Sequence, residues 1–160
     1  MNNRIIPNTI AWLNAHKCLI SILPEMEEHI TSPFYITPDE ISKTAEQKGL
    51  ELNWKKFKDW ELHESSSDFF YEDDEVFDVM FQSLALKEGE VTLIPQYCFR
   101  HQKDPITVGC IELRPLIVNF PVTFFDGDAI FLFKSQSLVS LFHHEGAYAH
   151  LYGKNKRGST

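Results

Sequence analysis

The chain has 160 residues, of which 43% are hydrophobic and 24% charged, with a formal net charge of −8. That length suits one domain with a real core and needs no disulfide or metal to hold it together. Residues 1–90 carry 8 Lys and Arg against 18 Asp and Glu, a net of −10, whereas residues 91–160 carry a net of +2, so the acidic half is not built to neutralise phosphates or anionic lipid.

In chain order, Met1 to Pro7 lacks the basic segment and apolar core of a secretion signal. The apolar stretch from Ile10 to Leu23 is broken by Asn14, His16 and Lys17, too short and too polar to span a bilayer. It reads as a helix capped by Asn8 and closed at Pro24, with a short turn through Met26 and Ile30 after it. Thr37-Pro38-Asp39-Glu40 is a helix start. Thr37 is the cap, Pro38 suits the first helical position, and Glu40 completes a capping box. Gly49 is placed to end that helix. Trp54, Phe57 and Trp60 recur at three-residue spacing, which predicts a helical turn with its tryptophans inward and Lys55, Lys56 and Lys58 outward. Glu64 to Asp68 is a serine-rich loop. Asp73 or Asp74 then caps a longer helix through Val76, Phe77, Met80, Phe81 and Leu84, stopped by Gly89.

Beyond Gly89 the pattern changes. Val91–Phe99, Ile106–Leu113, Leu116–Phe125 and Ala129–Phe133 are rich in β-branched and aromatic residues and read as strands. Turn signals separate them at Lys103-Asp104-Pro105, Arg114-Pro115 and Asp126-Gly127-Asp128, the last a hairpin signal. Residues 137–144 fit either a helix or a buried strand, and Tyr148–Tyr152 alternates like a last strand. Helices first and strands after predict an α+β fold: a helical N-terminal half packed on a mainly antiparallel β-sheet formed by the C-terminal half. Residues 1–153 are expected to form one domain and 154–160 a flexible tail. Cys18, Cys98 and Cys110 are odd in number and without CxxC spacing, which suits the reduced thiols of a cytoplasmic protein.

From Asp59 to Asp78 there are nine acidic residues and no Lys or Arg. Within this run, Asp68, Phe70, Tyr71, Glu72, Asp73, Asp74 and Glu75 combine carboxylates that would steer a basic partner with aromatics that would anchor it. The plainer reading of the same residues is a loop entering a helix, with Asp73 to Glu75 favouring its positive end. A calcium loop would need a turn glycine that is missing here.

The second cluster is His143, His144, Glu145 and His150. It departs from the HExxH arrangement of zinc proteases, because His150 follows Glu145 at the wrong spacing and Gly146 intervenes. A metal or acid–base site on His143, His144 and His150, serving a hydrolase or transferase, is the alternative to two ordinary polar residues at the end of an element. Cys98 and His101 would point to opposite faces of a strand, and nucleophile-elbow, phosphate-loop and dinucleotide motifs are all missing. The expectation is therefore a protein without catalytic residues, cofactor or metal, which binds a basic protein and neither nucleic acid nor membrane. A structural subunit of a larger complex is a further alternative.

The acidic run Asp68 to Asp78 with its aromatics, in a small cytoplasmic α+β domain, resembles the immunity proteins of bacterial toxin systems, including contact-dependent growth inhibition. The likeness is of class and rests on no specific motif. It implies a stoichiometric inhibitor of a basic nuclease toxin, whose carboxylates take the place of substrate phosphates in the toxin's cleft.

Overall fold

The computed structural model describes residues 37–47, 51–60, 71–84, 89–101, 104–120, 124–125, 127–136 and 138–152. Its frame is a six-stranded sheet: β1 (Lys55–Lys56), β2 (Glu90–Pro95), β3 (Ile106–Gly109), β4 (Ala129–Phe133), β5 (Leu138–His143) and β6 (Ala147–Tyr152), in the order β1-β6-β5-β4-β2-β3. Every pairing is antiparallel. Among the described residues four α-helices accompany it: α1 (Pro38–Gln47), α2 (Asp73–Phe81), the short α3 (Gln96–Arg100) and α4 (Cys110–Asn119). Among the described residues no helix is long and apolar enough to cross a membrane.

The centre of the sheet is buried on both faces. β4 and β5 are buried at every position, and β2 at every position after Glu90. The register puts Val91, Leu93, Ala129, Phe131, Phe133, Leu138, Ser140, Phe142, Tyr148 and His150 on one face. Against it pack Val76, Phe77, Met80 and Phe81 of α2 and Leu113 and Ile117 of α4. Each fully buried Phe or Leu in this layer contributes about 1.5–3 kcal/mol by leaving water. The opposite face carries Ile94, Ile130, Leu132, Val139, Leu141 and His143, equally buried. Two buried faces leave no polar alternation to read, which is why residues 138–143 look as much like a helix as a strand in sequence.

The expected division into a helical first half and a stranded second half is overturned. The molecule is a mostly antiparallel sheet with a few short helices set between its strands, and two of them lie in the second half. The expected helices over Asn8–Leu23 and near Met26 lie outside the described residues, as do Gly49 and the residues from 154 on.

Three local corrections explain the rest. Phe57 and Trp60 are buried as their spacing suggested, but Lys55 and Lys56 pair as an edge strand with Tyr148 and Ala147. A turn through Asp59, with φ at 59°, then swings Trp60 inward. The expected strand over Val91–Phe99 stops at Pro95, which has no N–H to extend the ladder and whose φ of −73° suits a helix start. The expected strands Ile106–Leu113 and Leu116–Phe125 are instead the strand β3 and the helix α4, which runs straight through Pro115. Pro115 removes one helical hydrogen bond, to the carbonyl of Ile111, but both residues are exposed and water can serve that carbonyl. Gly127 does not close a hairpin, because β4 pairs with β2 and β5 and not with β3.

The start of α1 matches its sequence signal, whereas α2 is capped by Glu72, immediately before the expected Asp73 or Asp74. Thr37 Oγ1 accepts from the Glu40 N–H at 3.2 Å, and Glu40 Oε1 accepts from the Thr37 N–H at 2.9 Å. The Thr37 N–H and the Thr37 hydroxyl, both donating to it, hold the Glu40 carboxyl below its ordinary range. At α2, Glu75 Oε1 accepts from the Glu72 N–H at 2.8 Å.

His150 fastens α2 to the sheet. One ring nitrogen lies 2.8 Å from the Met80 carbonyl, near the end of α2, and the other lies 2.7 Å from Ser140 Oγ across the strand pair. The carbonyl can only accept, so Nε2 carries a hydrogen and Nδ1 is free to accept from the serine. Burial pushes the imidazole below its ordinary value of 6.5. The unfolded chain therefore takes up the proton first, so His150 contributes stability that is full above about pH 6.5 and is lost as pH falls through the lower folded value. Urea denaturation at stepped pH will show wild-type stability declining below about pH 6.5, and His150→Gln will flatten that decline while lowering neutral-pH stability by about 1–3 kcal/mol.

Candidate functional site

The acidic segment begins where the described residues resume after 60. Asp68 and Phe70 lie outside the described residues. Tyr71 is turned inward: its ring stacks on Trp60 at 5.6 Å and meets Phe57 edge-on at 5.4 Å, and its hydroxyl donates to the Lys58 carbonyl. Burial pushes that phenol above its ordinary value.

Glu72, in extended conformation, caps α2. Asp73 is only 5% exposed, and its carboxylate accepts from the Phe124 N–H at 3.2 Å. Asp74 is half-buried, while Glu72 and Glu75 are exposed. The charge that reaches solvent at this end of α2 therefore comes from Glu72, Asp74 and Glu75, and Asp73 and Tyr71 serve the interior.

One turn along α2, Asp78 receives both arms of Arg114 from α4, at 2.8 and 2.7 Å. The guanidinium holds the Asp78 carboxyl below its ordinary range. Beyond α4 the chain meets α2 again, where the Phe124 N–H reaches Asp73.

Along α4 lies a feature that sequence reasoning missed. Among the described residues three large hydrophobic side chains stand exposed: Ile111 at 79%, Phe120 at 55% and Val118 at 44%. Read as residues of two strands separated by a turn at Arg114-Pro115, Ile111 and Val118 share no face. Seven residues apart on a helix they share one, with exposed Pro115 between them. The Gly109–Glu112 start was the available signal, since Glu112 Oε1 accepts from the Gly109 N–H at 3.4 Å as a capping glutamate does.

The histidines are divided by the pleat. Ser140 and His150 face α2, so His143, three residues after Ser140, faces the other side of the sheet. His150 is therefore no part of a cluster with His143 and His144. Their companion is Asp128, which lies across from His143 by continuation of the Ala129–Phe142 pairing. Asp128 is fully buried. Its Oδ1 accepts from the His144 N–H at 2.7 Å and lies 2.8 Å from His144 Nδ1. The rings of His143 and His144 stack at 4.3 Å, and the Glu145 N–H donates to His143 Nδ1 at 3.0 Å.

The tight turn 144–146 is braced from outside. Gly146 donates its N–H to the His143 carbonyl at 2.9 Å and accepts from the Phe57 N–H at 2.8 Å. Trp60 Nε1 donates to the His144 carbonyl at 3.2 Å. A buried carboxylate holding a half-exposed imidazole can orient a proton acceptor or help ligate a cation.

Cys98 and His101 make no catalytic pair. Cys98 is buried in α3, and burial together with the Asp104 charge pushes its thiol up to about 12. His101 is exposed just past the helix end. Cys110 is likewise a buried reduced thiol.

No family model, no curated protein and no solved structure matches the chain. Function has to be read from these geometries.

Gly146 is at φ +81°, and a Cβ built there would lie 2.2 Å from the Trp60 ring. Gly146→Ala will therefore lower stability by about 1–3 kcal/mol in urea denaturation, with a change in tryptophan fluorescence as Trp60 is displaced. A neutral result would mean that the turn does not depend on this contact.

Proposed function

We propose that the chain is a non-catalytic cytoplasmic binding protein that sequesters a basic protein partner through the face shared by α2 and α4. The observation that carries this reading is the exposure of Ile111, Val118 and Phe120 along and just past α4, the helix that the Arg114–Asp78 pair ties to acidic α2. An exposed apolar patch rimmed by charge is the usual anatomy of a protein interface, with apolar anchors for affinity and charges for encounter rate and selectivity. The sign of the rim selects a positive partner. The resemblance to immunity proteins adds its class: a nuclease toxin whose cleft, shaped for phosphate, would take the carboxylates instead.

The anchors are reassigned by this geometry. Tyr71 is committed to the core, and α4 supplies the apolar contact in its place. Asp73 positions the segment after α4 and does not meet the partner.

The test is affinity capture of the tagged full chain from its own cells, beside two variants. Wild type is expected to retain one basic protein at equal stoichiometry. Val118→Asp combined with Ile111→Glu will weaken that complex at least about tenfold, as loss of central apolar contacts does. Glu72→Lys with Asp74→Lys will slow association, and the defect will shrink as salt is raised. A captured partner whose affinity neither pair of substitutions changes would overturn the α2–α4 face, and a partner that is acidic would overturn the charge argument.

A further inference from the structure

We infer that Asp128, His143 and His144 form a binding site for one divalent transition metal ion, with zinc as the best-suited ion. The site lies on the sheet face away from α2 and does not depend on the partner reading.

The three side chains each offer one donor atom, and these atoms all lie within 4.8 Å of one another. Around zinc, with bonds of about 2.0–2.1 Å to nitrogen and oxygen, donor atoms of a tetrahedral site sit roughly 3.3 Å apart. Adjustment of about an ångström or less per side chain gathers them. The Asp128–His144 contact is already at 2.8 Å, so a cation replacing the hydrogen between these atoms needs them to separate only slightly.

The donor set is chemically suited. Two imidazoles, which are borderline ligands, beside one carboxylate favour zinc over calcium or magnesium, which prefer all-oxygen sites. The carboxylate is fully buried and supplies one negative charge against the ion's two positive ones. The His144 side chain is 47% exposed, which gives the ion an entry path and leaves a fourth position for water.

The scaffold is rigid where a metal site needs it to be. Asp128 immediately precedes β4 and its N–H donates to Gln96 Oε1 at 2.8 Å. His143 is the last residue of β5, and the turn that carries His144 is held by Trp60 and Phe57. Trp54 stands edge-on to His143 at 6.1 Å, and its buried Nε1 has no acceptor among the described residues. An oxygen ligand brought in by the ion would give that region an acceptor.

The experiment is calorimetric titration of the full chain, freed of metal by chelator dialysis, with zinc chloride alone. Wild type is expected to bind one zinc per chain with a micromolar or tighter constant. His144→Ala removes an exposed side chain and should fold as wild type, which circular dichroism checks; it will weaken binding at least about 100-fold. His101→Ala, exposed and not one of the three ligands, will leave binding unchanged. Cobalt(II) in place of zinc will give the visible absorption of a four-coordinate ion, and His144→Ala will abolish it. Absence of saturable zinc binding by wild type overturns the site, and so does zinc binding that His144→Ala leaves intact. Because no partner protein enters this titration, its failure and that of the α2–α4 face are separate results.

Discussion

The antiparallel ladder between β4 and β5 is the constraint on which the rest of the molecule depends. Its five residue pairs, from Ala129–Phe142 to Phe133–Leu138, are buried on both faces. A slip of one residue would exchange Phe131, Phe133 and Phe142 with Ile130, Leu132 and Leu141, and so change the volumes packed against α2 on one side and the opposite layer on the other. Register is thus fixed by shape as well as by polarity. It also decides which polar residues meet. Ser140 faces His150 across the β5–β6 pair, and one step beyond Ala129 and Phe142 it brings Asp128 to His143.

That ladder explains why the histidines separated as they did. In sequence, His143, His144, Glu145 and His150 are one polar cluster, and proximity along the chain suggests a common role. The pleat assigns His143 and His150 to opposite faces, and the right companion, Asp128, lies 15 residues before His143. Asp128 was visible only as part of a turn signal. No local pattern could have joined it to the histidines, because their meeting is a consequence of strand pairing.

Legibility followed the range of the interactions. The Thr37–Glu40 helix start and the strand Ala129–Phe133 were readable, since their determinants lie within a few residues, and the cap of α2 was misplaced by only a residue or two, at Asp73 or Asp74 where the structure uses Glu72. The helix Cys110–Asn119 was not readable, because its Ile, Leu and Val content favours a strand and Arg114-Pro115 reads as a break. Packing of Leu113 and Ile117 under α2 outweighed that preference, and the exposed Ile111 carbonyl made Pro115 tolerable. The strand at Lys55–Lys56 was hidden for the same reason. Two lysines carry little strand preference, and they pair because Phe57 and Trp60 are drawn into the core beside Tyr148. Lysines on an edge strand also discourage further chains from adding to the sheet.

The acidic segment shows how one run of residues divides between two tasks. Capping and burial take Asp73 and the Glu75–Glu72 bond, and they fix the position of α2 and of the chain after α4. A carboxylate committed to a backbone N–H inside the protein cannot also meet a partner, so composition alone overstates the charge available for binding. What remains outside is set by geometry: Glu72, Asp74 and the outer part of Glu75, held beside α4 by the two-armed Arg114–Asp78 pair. Arg114 neutralises part of the acidic field where the helices meet. The two helices are thereby joined by a contact that neither the acidic run nor the Ile111–Phe120 stretch encodes by itself.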